Sequence, residues 1–265
     1  YFVKIAVLIK QVPDSDDVRM DPETGTMVRE GMGAIVNPLD LNALQAALDL
    51  RTLAGEAGEV TAIAMGPRNA DEALRECLSM GADSGFLLTD RAFAGSDTWA
   101  TAKVLAAALE SSGPYDLVLA GEKATDGETG QVGPETAVIL GIPFSTYVSG
   151  LSLVEGGIEV LRTVEEGTQR QKLPFPCLLT VLHALNEPGM PTLAGKKRAR
   201  RAEIRSAGID GIRLSPEETG LMGSATRVVK ISYPTISRKT EMFDEKRTEE
   251  GIERLVAVLR DLAVL

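Results

Sequence analysis

The chain has 265 residues, 44% of them hydrophobic and 25% charged, with a formal net charge of −10. That composition speaks against intrinsic disorder, and the acidic balance disfavours a general nucleic-acid binder. Aromatic residues make up only 4%, so the core must be aliphatic and Ala-rich, as suits helices packed on parallel strands, and a base-stacking platform is not expected. The sole histidine, His183, and the two distant cysteines, Cys77 and Cys177, offer no zinc-ligand spacing and no Ser-His-Asp set. Neither a metal site nor a catalytic residue is expected. The cysteines fit a reducing compartment and hence a cytoplasmic location, and the apolar runs are strand-sized, too short for a membrane span.

In chain order, Phe2 to Ile9 (FVKIAVLI) reads as a strand buried on both faces, the first of a parallel sheet. After Pro13, VRMDPETGTMVRE carries a turn at Asp21-Pro22-Glu23-Thr24-Gly25 and predicts a small surface hairpin outside the main sheet. Asn37-Pro38-Leu39-Asp40 opens a helix with Leu44, Ala47 and Leu48 at helical spacing, stopped by Gly55 and Gly58. Val60 to Met65 is a second buried strand, and Asn69 with Glu72 predicts a capped helix whose inward stripe is Leu74, Cys77 and Leu78. Residues 85–89 form a third strand, a helix runs from Thr98 to about Glu110, and Leu117 to Ala120 is a fourth strand running into Gly121.

This alternation to about residue 140 predicts a wound parallel sheet. Beyond Pro143 the pattern changes: from Thr146 to Leu182, extended segments separated by Glu155-Gly156-Gly157 and Glu165-Glu166-Gly167 predict hairpins that add antiparallel edges. The fold class is therefore α/β, a mostly parallel sheet with antiparallel edge strands. A basic helix-like piece from Lys196 to Arg205 follows, then a polar linker from about 206 to 240. A last helix near Glu249 to Leu262 buries Ile252, Leu255, Val256 and Leu259 on one side, either by packing within the chain or as a docking strip. The domain boundary is placed at 205/206, with 206–265 an extended C-terminal arm.

Ligands of a parallel α/β sheet bind at the carboxyl ends of strands, where loops and helix N-termini present backbone N–H groups. Four such places exist: Lys10 to Asp14, Met65-Gly66-Pro67, the loop Thr89 to Asp97, and the loop GEKATDGETGQVG from Gly121 to Gly133. The last has four glycines, two threonines and a glutamine, but lacks the Lys of a Walker loop and the spacing of a Rossmann fingerprint. On the residues alone, a nucleotide or phosphate site and a plain surface loop both stay open. The same holds for Asp97 and Thr98, which are also the usual cap of the helix that follows. The KKRARR run at 196–201 is either a solvated helix face or a contact for an acidic patch, a phosphate or a partner.

The segment VLRTVEEGTQRQKLPFPCLLT, with Val160, Arg162, Glu165, Gly167, Gln169, Pro176, Leu178, Leu179 and Thr180 in order, resembles the signature region of electron transfer flavoprotein β subunits. The resemblance extends to KIAVLIKQVPD at 4–14, NPLDLNALQAAL at 37–48, MGP at 65–67, AGEKATDGETGQVGP at 120–134 and LNEPGMPTL at 185–193. It implies a Rossmann-like fold of the adenine nucleotide α-hydrolase type and a heterodimer whose α subunit carries the electron-transferring FAD. In it, residues 1–205 would form the nucleotide-binding domain and 206–265 would pack on that partner. By similarity the cofactor contacts are Leu8, Asn37, Asp40, Met65, Asp97 and Thr98. They continue through the loop residues Lys123, Ala124, Thr125, Asp126, Gly127, Glu128, Thr129, Gly130, Gln131 and Val132.

The family holds at this site either a structural AMP or a second FAD that takes a hydride from NADH and splits the electron pair between the α-subunit FAD and a low-potential acceptor such as ferredoxin or flavodoxin. TDRAFAGSDTWAT and ATDGETGQVGP are similar to the bifurcating branch and imply FAD. The chain is then an electron-carrier subunit, redox-active only within the heterodimer. Residues 186–193 are similar to the loop with which the family docks on acyl-CoA dehydrogenases, which implies partner contacts at Glu187, Pro188, Met190 and Leu193, continued by Lys196 and Lys197. Gly189-Met190 stands where the family usually has Arg-Tyr, and Lys196-Lys197 where it has Ile-Met, which implies an atypical dehydrogenase or docking that rests on charge. Gln171 stands where the signature has an aliphatic residue. Two other readings are a relay subunit with structural AMP and, in another class, a hydrolase-like nucleotide-binding domain.

Overall fold

The structure is a computed structural model that describes residues 3–14, 33–55, 58–229 and 240–263. The hairpin expected around Asp21 to Gly25 lies outside the described residues. In chain order the elements are β1 (Lys4–Ile9), β2 (Gln11–Pro13), β3 (Ala34–Val36), α1 (Pro38–Leu53), β4 (Glu59–Met65), α2 (Asp71–Met80), β5 (Ser84–Leu88), α3 (Thr98–Ser112) and β6 (Leu117–Gly121). They continue as α4 (Val132–Leu140), β7 (Phe144–Val154), β8 (Gly157–Val164), β9 (Gly167–Pro174), β10 (Cys177–Val181), α5 (Leu193–Ala199), β11 (Arg205–Ala207), α6 (Gly220–Gly223) and α7 (Thr248–Asp261).

Nine strands form one sheet in the order β11-β5-β4-β1-β6-β10-β7-β8-β9, and β2 pairs with β3 as a separate antiparallel ribbon. Side-chain alternation along the apolar β1 builds two cores. Ile5, Val7 and Ile9 pack with α1 and α2, while Ala6 and Leu8 pack with α3 and α4. Both cores are rich in alanine, which lets the helices lie close to the sheet. Cys77 and Cys177 are free and buried, and burial pushes both thiols up, as befits inert core residues.

Several elements differ from the expectation. Asn69 does not cap α2: a short 3₁₀ turn at Arg68–Ala70 precedes the helix, and Asp71 and Glu72 in its first turn complement the positive end of its dipole instead. The strands after Pro143 do not all form hairpins. β7, β8 and β9 are antiparallel, but β10 runs parallel between β6 and β7. The physical reason is composition, since CLLTV is buried at every position and suits the sheet interior, whereas GTQRQKLP of β9 is polar and largely exposed and suits an edge.

The basic helix is shorter than expected. Arg75 donates to the carbonyls of Ala199 and Ala202, closing α5, and the chain then enters β11, which pairs parallel with β5 while the Arg205 guanidinium lies 4.3 Å from the Phe86 ring centre. The 205/206 boundary therefore falls inside a strand, and the first compact unit extends to Val228. The second unit, from Val229, carries α7, where Arg254 makes a two-armed ion pair with Glu241. No residue of α7 is buried, and Ile252 and Leu255 are more than half exposed. No helix of the described residues is long and apolar enough to cross a membrane.

Candidate cofactor site

β1 lies between β4 and β6. The chain leaves β1 for β4 and β5 on one side, then returns to β6 on the other, so the winding reverses between β1 and β6. At such a switch point the loops leaving the two strands diverge and open a crevice beyond their carboxyl ends. Here those loops begin at Lys10 and at Glu122.

Two side chains at the start of α1 hold both loops. Pro38 occupies the first helical position, and the Asn37 side chain, which makes no cap bond to its own helix, reaches across instead. Its Nδ2 donates to the Lys123 carbonyl at 3.0 Å, and its Oδ1 accepts from the Thr125 N–H at 3.2 Å. Asp40 accepts from the Lys10 N–H at 2.8 Å with one oxygen and from the Gly121 N–H at 3.0 Å with the other. Both residues are buried. Gly121 is required for this approach, because a Cβ there would stand 2.5 Å from Asp40 Oδ1 and 2.7 Å from Leu39 Cβ. Burial raises the Asp40 carboxyl to about 7, against the hydrogen bonds from Asn37, Lys10 and Gly121 and the charge of Lys10. Asn37 and Asp40 thus position the loops through backbone contacts, and their polar atoms are already engaged.

The Gly-rich loop is a compact turn. The Glu128 N–H donates to the Ala124 carbonyl at 2.8 Å, and Glu128 and Gly130 take left-handed φ values of 50° and 64°. Lys10 Nζ pairs with Asp126 at 2.6 Å and Lys123 with Glu128 at 3.5 Å, so the loop after β1 is tied to the loop after β6 by side chains as well. Thr125 to Thr129 are exposed, and a Cβ on Gly127 would meet nothing within 4 Å, which leaves open space over the tip. Gln131 ends the loop at α4, and Val132 turns back to the α3–α4 core. Gly133 sits against Thr180, where a Cβ would collide, so α4 starts directly over β10.

The loop after β5 closes the other flank. Asp97 caps α3, accepting from the Ala100 N–H at 3.0 Å, and it also accepts from the N–H and hydroxyl of Thr226 at 2.7 and 3.0 Å. Burial raises its carboxyl, but these hydrogen bonds outweigh that and hold it below the usual range. Thr98 Oγ1 lies 3.3 Å from Gln131 Oε1 and 3.2 Å from Glu135 Oε1, and its one proton serves only one of them. Glu135 Oε2 is buried without a partner among the described residues, and burial, reinforced by the charge of Asp97, raises its carboxyl despite the Thr98 bond. An unpaired buried acceptor of this kind can take a donor from water or from a ligand.

The structure therefore brings Lys123 to Gln131, Asp97 and Thr98 together around the switch point. Met65 ends β4, half-buried, two strands from β6. The Leu8 side chain lies in the core near the end of β1. Two residues stood outside the sequence-based set. Lys10 was legible as the first residue after β1, whereas Glu135 was not, because its meeting with Thr98 depends on how α3 and α4 pack. No group of three or more His, Cys, Asp or Glu suited to a metal occurs among the described residues.

The second set lies along α1, α2 and α5. Asn42 and Asn186 exchange hydrogen bonds, and the Gly189 N–H donates to Gln45 Oε1 at 2.9 Å, which ties the 186–193 loop to α1. Glu187 and Pro188 are exposed, and Met190 and Leu193 are each 87% exposed. Lys196 and Lys197 are exposed on α5, while Arg198 donates to the Leu78 carbonyl at 2.8 Å and serves the fold. A cavity of about 310 Å³ between α2 and α5 is lined by Arg75, Ser79, Pro191, Lys196 and Arg200.

Comparison with known proteins bears on this geometry. The family model "Electron transfer flavoprotein domain" matches residues 24–210. An electron transfer flavoprotein subunit beta of Thermoanaerobacterium thermosaccharolyticum is 44% identical over 99% of this chain and 100% of its own length. CarD, a caffeyl-CoA reductase-Etf complex subunit of Acetobacterium woodii, is 41% identical over 99% of this chain and 100% of its own length. Protein FixA of Azorhizobium caulinodans is 43% identical over 92% of this chain and 89% of its own length. The switch-point crevice, the Gly-rich loop and these full-length likenesses agree, and the chain belongs to the electron transfer flavoprotein β-subunit family.

Proposed function

We infer that this chain is the β subunit of an electron transfer flavoprotein heterodimer, that its switch-point crevice holds FAD, and that the heterodimer takes electrons from NADH and divides them between the α-subunit FAD and a low-potential acceptor such as ferredoxin or flavodoxin. The observation that carries this reading is the contact of Thr98 with Gln131 and Glu135. It joins the loop after β5 to the loop after β6, so polar side chains from both loops border the switch point. FAD, when bound, supplies the hydride and single-electron chemistry, and the chain supplies position and electrostatics. The backbone N–H groups of the loop 123–132 other than those of Thr125 and Glu128, which are held within the chain, and the N-terminus of α4 suit the pyrophosphate. Glu135 suits a ribose hydroxyl or an amino group, and Asn37 with Asp40 keeps the two loops at a fixed separation. The CarD likeness supports a partner that is a flavoenzyme acting on a CoA ester, resembling an acyl-CoA dehydrogenase, met by the 186–193 loop with Lys196 and Lys197.

The test is to purify the chain with its α subunit, release the bound groups by denaturation, and count FAD and AMP per heterodimer. Two FAD and no AMP are expected. One FAD with one AMP means a structural nucleotide and a simple relay, and no nucleotide on this chain removes the crevice from the reading. Glu135→Gln should weaken nucleotide retention about tenfold, the scale of one hydrogen bond to a charged group. Unchanged retention excludes Glu135 from the site.

A further inference from the structure

The 186–193 loop offers Met190 and Leu193 to solvent at 87% exposure each. Apolar side chains presented in this way meet a partner at little entropic cost only if the backbone beneath them is already ordered. The two ends of the loop are fixed by ordinary means. A 3₁₀ turn at His183–Leu185 packs Leu185 on the core, and Thr192 caps α5 by accepting the Gly195 N–H at 2.9 Å. Between these ends, Glu187 to Met190 are exposed and form neither helix nor strand.

This middle stretch is fastened from α1. Asn42, buried on that helix, donates from Nδ2 to the Asn186 carbonyl at 2.8 Å and to Asn186 Oδ1 at 3.0 Å, and Asn186 Nδ2 donates back to the Asn42 carbonyl at 3.1 Å. The reciprocal bonds fix the orientation of both amides. One turn farther along α1, Gln45 Nε2 donates to Asp49 at 2.7 Å, which leaves Oε1 to accept the Gly189 N–H at 2.9 Å. Gly189 permits this approach, since a Cβ there would stand 3.2 Å from Gln45 Oε1, and a side chain would press the loop away from α1. It is also where the chain departs from the family's usual Arg, so the bond to Gln45 goes with the residue that is particular to this chain. Pro188 and Pro191 on either side restrict the backbone further.

The bond from Gly189 to Gln45 joins two groups that water could serve, so its net contribution to folding is small. The ends of the loop are held without it. Its effect is local: it sets the backbone direction from which Met190, the next residue, projects.

We propose that Gln45, with Asn42 behind it, is a positioning residue for docking, holding residues 187–190 in the shape in which Met190 meets the flavoenzyme partner. The proposal rests on the docking reading of the 186–193 loop given above. The test uses the purified heterodimer, with a bacterial short-chain acyl-CoA dehydrogenase as the probe partner. In Q45A, hydrogen exchange of a peptide covering Gly189 should quicken while flavin content stays the same. The KM for the dehydrogenase should rise about fivefold, the scale of one hydrogen bond, with kcat unchanged. Gln45→Glu keeps the acceptor and should restore both readouts. N42D, which loses the donor and sets a charge against two oxygens of Asn186, should raise KM further. Faster exchange in Q45A with an unchanged KM overturns the proposal, because loop order then plays no part in docking. Unchanged exchange overturns it as well, because Gln45 then does not hold the loop. The docking reading fails separately: it falls if Met190→Ala and Leu193→Ala leave KM unchanged, or if the wild-type heterodimer exchanges electrons with none of several such dehydrogenases.

Discussion

The two ends of the sheet use buried polar groups in opposite ways. At the switch point, Asn37 and Asp40 are buried more deeply than Arg162, yet each of their oxygens accepts a backbone N–H. At the hairpin end, Arg162 on β8 is only half-buried, but its Nε is buried without a hydrogen-bond partner among the described residues. A satisfied buried polar group acts as a ruler that fixes distances inside the chain, while an unsatisfied one carries a cost and fixes nothing through that atom. Depth of burial is thus a poor guide to which residue sets the fold, and completeness of hydrogen bonding is a better one.

The largest expected effect comes from breaking the ruler. Gly121→Ala puts a Cβ against Asp40 Oδ1 and the backbone of Leu39, and the start of α1 must move, with a cost of about 3 kcal/mol. Thermal unfolding measures it, and nucleotide retention should fall with it, since the same displacement separates the loops after β1 and β6. A stable variant that keeps its nucleotide would mean that the Asp40 clamp does not set the crevice.

A smaller, pH-shaped effect is expected at Asp40 itself. Its carboxyl in the folded chain stands near 7, above the ordinary 3.8. The folded state therefore holds a proton that the unfolded state releases. The resulting contribution to stability is full below the ordinary value and is lost as pH rises through 7, with a slope of up to about 1.4 kcal/mol per pH unit between the two. Asp40→Asn should flatten the stability profile in that window. Asp97, held low by its hydrogen bonds, works in the other direction and at lower pH, so the two titrations are separable. A profile of unchanged slope in Asp40→Asn would assign the window to another group.

Much of the parallel half was legible in the sequence because burial on both faces leaves a continuous apolar run, as in KIAVLI and EVTAIAM, and because the stops between runs are Gly and Pro. The Gly-rich loop and the Asn37–Asp40 segment were legible for the same reason, since they follow or precede such runs. The place of β10 was not, because hairpin turns before it suggest another hairpin and only its unbroken burial sends it to the interior. β11 was hidden in a basic segment, where its three residues have no apolar pattern and are held by pairing to β5 and by Arg205 against Phe86. The Thr98–Glu135 meeting joins residues from two helices, and no local rule reports how helices pack.

The smallest expected effect sharpens the contrast at the hairpin. Arg170 pairs with Glu159 at 2.7 Å, but Arg170 is 67% exposed, so the pair is screened by water and salt and its loss should cost under about 1 kcal/mol. Arg170→Ala in the purified heterodimer should lower the melting temperature by about 2 °C or less, and that small shift should vanish at high salt. Arg162 lies on the same hairpin but differs through strand alternation, which puts a paired, wet cation on one face and, on the other, a half-dry one without an ion pair among the described residues. A larger shift, or one that survives high salt, would mean that the Arg170–Glu159 pair is not screened, and the distinction between the two faces would carry no meaning.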